Sequence, residues 1–163
     1  MKTSLKYSIL IVTFLCLFFL FAVPAHALEF STKYSIITYS DPGEIDDFFL
    51  RLGGEHYDFR DNPQLAASLI DRLVDRIQSI LGVIPRDLKF KIYLRRGTLQ
   101  DGMKAYYDPK NRVIFISADY ASQGVLAHEI GHAIVGKYFP TPLPSKLQEI
   151  LMQYVDKYLW SDY

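Results

Sequence analysis

The stretch Gly124–Val135, GVLAHEIGHAIV, restricts this chain more than any other. Val125, Leu126, Ile130, Ala133 and Ile134 give it the apolar character of a helix packed inside a small protein. The same run carries His128, Glu129 and His132. Burying two imidazoles and a carboxylate without partners costs several kcal/mol. A fold that accepts this helix must therefore supply those partners. On a helix, residues four apart lie one above the other, so His128 and His132 offer two nitrogens to one point in space. Glu129 lies about 100° further round, displaced from the pair but within reach of a water beside them. Two histidines and a glutamate at this spacing can hold a metal ion, with the glutamate as general base. Zinc suits imidazole and carboxylate ligands in a tetrahedral set. The competing reading is a core helix whose polar residues fell in this order by chance, and it predicts no metal.

The first residues belong to a different problem. Lys2 and Lys6 precede an almost wholly apolar run from Tyr7 to Val23, followed by Pro24-Ala25-His26-Ala27. This reads as a secretory signal peptide, residues 1–27, cut after Ala27. The rival is an uncleaved membrane anchor. Cleavage leaves one domain, residues 28–163, exported to a periplasmic or extracellular space and free of the membrane. Cys16, the only cysteine, leaves with the signal, so the mature chain forms no internal disulfide. Removing Lys2 and Lys6 leaves 16 basic residues against 18 acidic ones, a formal net charge of −2. This balance gives no ground for a nucleic-acid or anionic-membrane partner.

Along the mature chain, Asp41–Leu52 has helix start and stop signals, with Gly53 and Gly54 beyond it. A second helix runs from a cap at Asp61 or Asn62 to Gly82, with Leu65, Leu69, Leu73, Ile77 and Ile80 on one side. Leu88–Arg96 alternates as a strand. Ala105–Tyr107 and Arg112–Ser117 form a hairpin about a turn at Asp108–Asn111. The helix with the histidines ends near Gly136. The prolines Pro140, Pro142 and Pro144 then turn the chain back. Ser145 with Gln148 reads as a capping box for a last helix to about Trp160. The expected order is α–α–β–β–β–α–α, an α+β domain with a short, mostly antiparallel sheet.

A catalytic zinc takes three protein ligands and keeps one position open. His56 lies in a distant segment and reads as a loop or surface residue. Glu149, in the first turns of the last helix, is the better third ligand, with Asp156 as the substitute. Gln153 and Asp156 share its face and can hydrogen-bond the ligands from behind. Tyr154 and Tyr138 are candidate oxyanion donors by sequence proximity alone.

"HEIGH" followed by "QEILMQYVD" resembles the gluzincin zinc metallopeptidases, especially small secreted domains with a minimal peptidase core; the likeness covers Ala105 to Tyr158. The metzincin extension is absent, because Val135 and Tyr138 stand where a glycine and a histidine are required. The resemblance implies a zincin-like domain in which His128, His132 and Glu149 bind one zinc ion and Glu129 is the base. It also implies that the strand Arg112–Ser117 flanks a cleft, where an extended peptide pairs with its edge. Many gluzincins carry an aspartate where this chain has Gln153, which leaves Asp156 to orient a histidine. The function implied is hydrolysis of a peptide or protein substrate. The alternative is an inactive zinc-bearing binding module of the cell envelope.

Overall fold

The computed structural model describes residues 27–54, 59, 60 and 62–161. The expected signal segment, apart from Ala27, and His56 lie outside these residues. Among the described residues no helix is long and apolar enough to cross a membrane.

The chain opens with two strands, β1 (Leu28–Ser31) and β2 (Ser35–Tyr39). Helices α1 (Pro42–Gly53) and α2 (Pro63–Leu81) follow, then β3 (Phe90–Arg95), β4 (Ala105–Asp108) and β5 (Val113–Ser117). Helices α3 (Gln123–Tyr138) and α4 (Ser145–Tyr158) end the domain. The α+β class is as expected. The pair β1–β2 is an addition to the elements read from sequence.

The five strands form one mixed sheet in the order β1-β2-β3-β5-β4. β1 and β2 are antiparallel, as are β4 and β5, whereas β2–β3 and β3–β5 are parallel. This corrects the expectation of a mostly antiparallel sheet. The two helices between β2 and β3 carry the chain back so that β3 enters in the same direction as β2. The hairpin then folds inward, so β5 lies against β3 and β4 is left at the edge.

Ile37, Ile92, Leu94, Ile114 and Ile116 are fully buried on one face of the sheet. They share a core with Phe48 and Phe49 of α1, Ile70, Val74 and Ile77 of α2, and Leu126, Ile130 and Ile134 of α3. Each such side chain contributes about 1.5–3 kcal/mol by leaving water. The other face carries Lys91, Tyr93, Arg95 and Phe115, exposed or half-buried. Two start signals are used as read. Asp41 accepts from the Gly43 N–H at 2.7 Å, and Asn62 accepts from the Leu65 N–H at 2.9 Å.

Helices α3 and α4 pack closely against each other. Gly131 lies one residue before His132, and a methyl group there would sit 2.4 Å from Met152 Sδ. Real side chains do not approach so closely, so the missing side chain lets α4 lie unusually near α3. At the far end of α4, Arg76 of α2 donates from Nη2 to the Tyr158 carbonyl at 3.0 Å and to the Ser161 carbonyl. The last turn and the tail behind it are thereby tied to the body of the domain.

Candidate metal centre

Ser122 starts α3 by accepting from the Val125 N–H at 3.2 Å. From there the helix runs between α2, α4 and the edge of the sheet, with Leu126, Ala127, Ile130 and Ile134 inward. His128 and His132 face α4, their ring centroids 5.1 Å apart. Glu149 reaches them from α4: His128 Nε2 lies 3.6 Å from Glu149 Oε2, and His132 Nε2 lies 3.4 Å from Glu149 Oε1. One ligand atom from each of the three residues falls within 4.8 Å of the others.

The other nitrogen of each ring is also engaged. His128 Nδ1 faces Asp156 Oδ2 at 3.2 Å, and His132 Nδ1 faces Gln148 Oε1 at 3.4 Å. A neutral imidazole that donates from Nδ1 has a lone pair on Nε2. Both lone pairs are then free for a metal on the side where Glu149 stands. Donors about 2.0–2.1 Å from a tetrahedral ion stand roughly 3.4 Å from one another, which the two Nε2–Glu149 distances match. The donor set of two imidazoles and one carboxylate thus fits a zinc ion, and these three residues would hold it.

Glu129 faces the sheet edge. Burial pushes its carboxyl above the ordinary carboxylate range, against the opposing pull of His128 and of the Tyr107 backbone amide. Burial holds His132 below the usual imidazole range, although Glu149 acts the other way. A histidine kept neutral is the form that binds metal.

Two cavities meet at His128 and Glu129. One, of about 580 Å³, extends past Met103, Ala105, Val125, Leu159 and Trp160. The other, of about 540 Å³, extends past Tyr106, Tyr107, Pro142, Leu143 and Glu149. Together they form a cleft that runs along β4 and passes the candidate metal centre midway.

The sequence-derived residues divide accordingly. His128, Glu129, His132, Glu149 and Asp156 are brought together. Gln153 is not: it is exposed on α4 and has no hydrogen bond to these residues. Residue 148 takes that place because it precedes Glu149 on the turn that faces His132. Its expected use in a capping box is also corrected. Pro144 occupies the cap position, and the Gln148 amide donates instead to the Leu143 carbonyl at 2.7 Å. Tyr154 and Tyr138 are 48% and 45% exposed and line neither cavity; their rings pack on Tyr158 and Phe139. The tyrosines that do line the cleft are Tyr106 and Tyr107, which nothing in the spacing of the motif marks.

The strand beside the cleft is likewise corrected. β5 is paired on both sides, so it has no free edge. The free edge belongs to β4, whose Tyr107 N–H is directed at Glu129. No protein-family model, curated protein or solved structure matches this chain.

Proposed function

We propose that this protein is a zinc-dependent peptide hydrolase of the zincin-like, gluzincin type, in which His128, His132 and Glu149 would hold the zinc ion and Glu129 is the general base. The observation that carries the reading is the double tie on the imidazoles. Both Nδ1 atoms are engaged from behind, and both Nε2 atoms are turned to one carboxylate. An ordinary ion pair between two helices has no need of both contacts, whereas a metal site is built on them.

Zinc held there would supply two things at neutral pH: a water acidified toward a pKa of about 7, and polarisation of a carbonyl. The remaining chemistry falls to the chain. Glu129 accepts a proton from the attacking water and delivers it to the leaving amine; the second water proton follows to that amine, so one water and one peptide bond become a carboxylate and an ammonium. Its raised pKa suits a group that must hold that proton between the two transfers. In an antiparallel pair the N–H and C=O of one residue point to the same side, so Ala105 presents both groups along the free edge, and Tyr107 its C=O beside the N–H turned to Glu129. An extended peptide can pair with that edge and lie across Glu129. Cavities on both sides of Glu129 leave room for chain before and after the cleaved bond, which favours internal bonds over terminal ones.

The second reading, a binding module that grips without hydrolysis, draws support from one feature. Leu147, Ile150 and Tyr154 stand exposed along one side of α4, a surface fit for a partner. The test is to incubate a mixture of unfolded proteins with the wild type and with Glu129→Gln, both zinc-loaded, and count new N-termini. The hydrolase yields termini that the variant does not. A binding module yields none in either sample.

A further inference from the structure

Trp160 is the only tryptophan in the chain, and it is 65% exposed. Nothing in the core explains an indole left this open at the end of α4. It also stands on an ordered piece of backbone. The Arg76 guanidinium bonds the carbonyls on either side of Leu159–Trp160, and Ser161 bonds back to the Tyr158 carbonyl through both its N–H and its hydroxyl. Leu159 is buried beneath it. Trp160 therefore divides two spaces. On one side is the cavity that ends at His128 and Glu129, and on the other a groove of about 260 Å³ lined by Leu69, Arg72 and Gln123.

We propose that Trp160 is a substrate-contacting wall of the cleft. It takes a bulky apolar side chain next to the bond that faces Glu129, and Arg76 is the positioning residue that holds it in place. The surroundings agree in chemistry. Met103, Ala105, Val125 and Leu159 line the same flank, so a side chain entering it meets apolar atoms on several sides and an aromatic face on one. Lys104, Ser122 and Asp156 also line that flank, and the Asp156 carboxylate is engaged with His128. An apolar side chain gains there by leaving water, whereas a charged one gives up hydration against the apolar atoms. The inference rests on the peptide-hydrolase reading for the word "substrate", but a peptide bound without turnover meets the same wall.

The single tryptophan makes the test direct. Zinc-loaded Glu129→Gln protein is titrated with blocked alanine hexapeptides that carry one phenylalanine, leucine or aspartate at either central position. Binding is followed by Trp160 emission and by calorimetry. Peptides with phenylalanine or leucine in one of the two positions should shift the emission and bind about 10-fold or more tightly than the alanine and aspartate peptides. Adding Trp160→Ala should reduce that preference to roughly 2-fold, read by calorimetry as the ratio between the phenylalanine or leucine peptide and the alanine peptide. Adding Arg76→Met, at unchanged zinc content, should weaken the preference in part, and Arg76→Lys should recover more of it. The proposal is overturned if saturating peptide leaves the emission unmoved, if Trp160→Ala keeps the full preference, or if no peptide binds. Its failure is separable from that of the hydrolase reading. Wild-type cleavage that ignores Trp160 keeps the hydrolase and removes this wall; binding at Trp160 without any cleavage does the reverse.

Discussion

His128 and Asp156 meet across two helices, Nδ1 to Oδ2 at 3.2 Å, although they are 28 residues apart in sequence. The carboxylate fixes which ring nitrogen carries the proton and so leaves the Nε2 lone pair turned toward Glu149. Asp156→Asn should therefore weaken zinc binding about 10–100-fold in a chelator competition. Gln153→Ala, one turn away on the exposed side, should leave the affinity within about 2-fold.

Gln148 does two jobs with one amide. Its oxygen faces His132 Nδ1, and its nitrogen holds the Leu143 carbonyl in the connector between α3 and α4. Gln148→Ala should cost about 10-fold or more in zinc affinity. It should also speed amide hydrogen exchange in the residues around Leu143, which an effect confined to the histidine would not do.

Gly131→Ala tests whether the close approach of α3 and α4 positions Glu149. The added methyl would lie 2.4 Å from Met152 Sδ and 3.0 Å from its Cε. Relief requires Met152 to turn or α4 to move out. The expected cost is about 1–3 kcal/mol, seen as a fall of several degrees in Tm, together with weaker zinc binding. Gly124→Ala, in the same helix with no atom within 4 Å of the new methyl, should instead stabilise by up to about 1 kcal/mol.

The turn that closes the β4–β5 hairpin predicts a pH dependence. The Asn111 side-chain amide, helped by the backbone N–H groups of Asn111 and Lys110, holds the Asp108 carboxyl below its usual 3.8. A carboxyl depressed in the folded state stabilises fully above the unfolded pKa, and that gain is lost as pH falls through the folded value. Asp108→Asn should thus lower Tm at about pH 6, with the gap to wild type closing as pH drops below about 3.8 toward 2. A constant gap would mean the charge contributes nothing.

Legibility in the sequence followed the range of the interaction. α2 announces itself because Leu69, Leu73 and Ile77 recur at helical spacing and are all buried. β1 and β2 do not, because the turn between them lacks the usual glycine, asparagine or proline. There the Thr32 hydroxyl accepts from the N–H groups of Tyr34 and Ser35. The parallel pairings of β3 lay beyond reach for another reason: they join segments separated by two helices or a folded hairpin, and no local spacing encodes them. At the candidate site, a helical period of 3.6 was enough to align His128 with His132 and to carry Glu149 toward Asp156. It could not say which of Gln148 and Gln153 faces α3, since that depends on how far α4 is rotated. Nor could it place Tyr106 and Tyr107, which reach the cleft only because β4 is the edge strand.

Zinc content is the most direct test of the account. The purified protein, dialysed against metal-free buffer, should retain one zinc ion per chain by elemental mass spectrometry. His128→Ala, checked for native circular dichroism, should retain none. A folded wild-type protein that carries no zinc, and takes none up when zinc is restored, would contradict the metal centre and the hydrolase built on it.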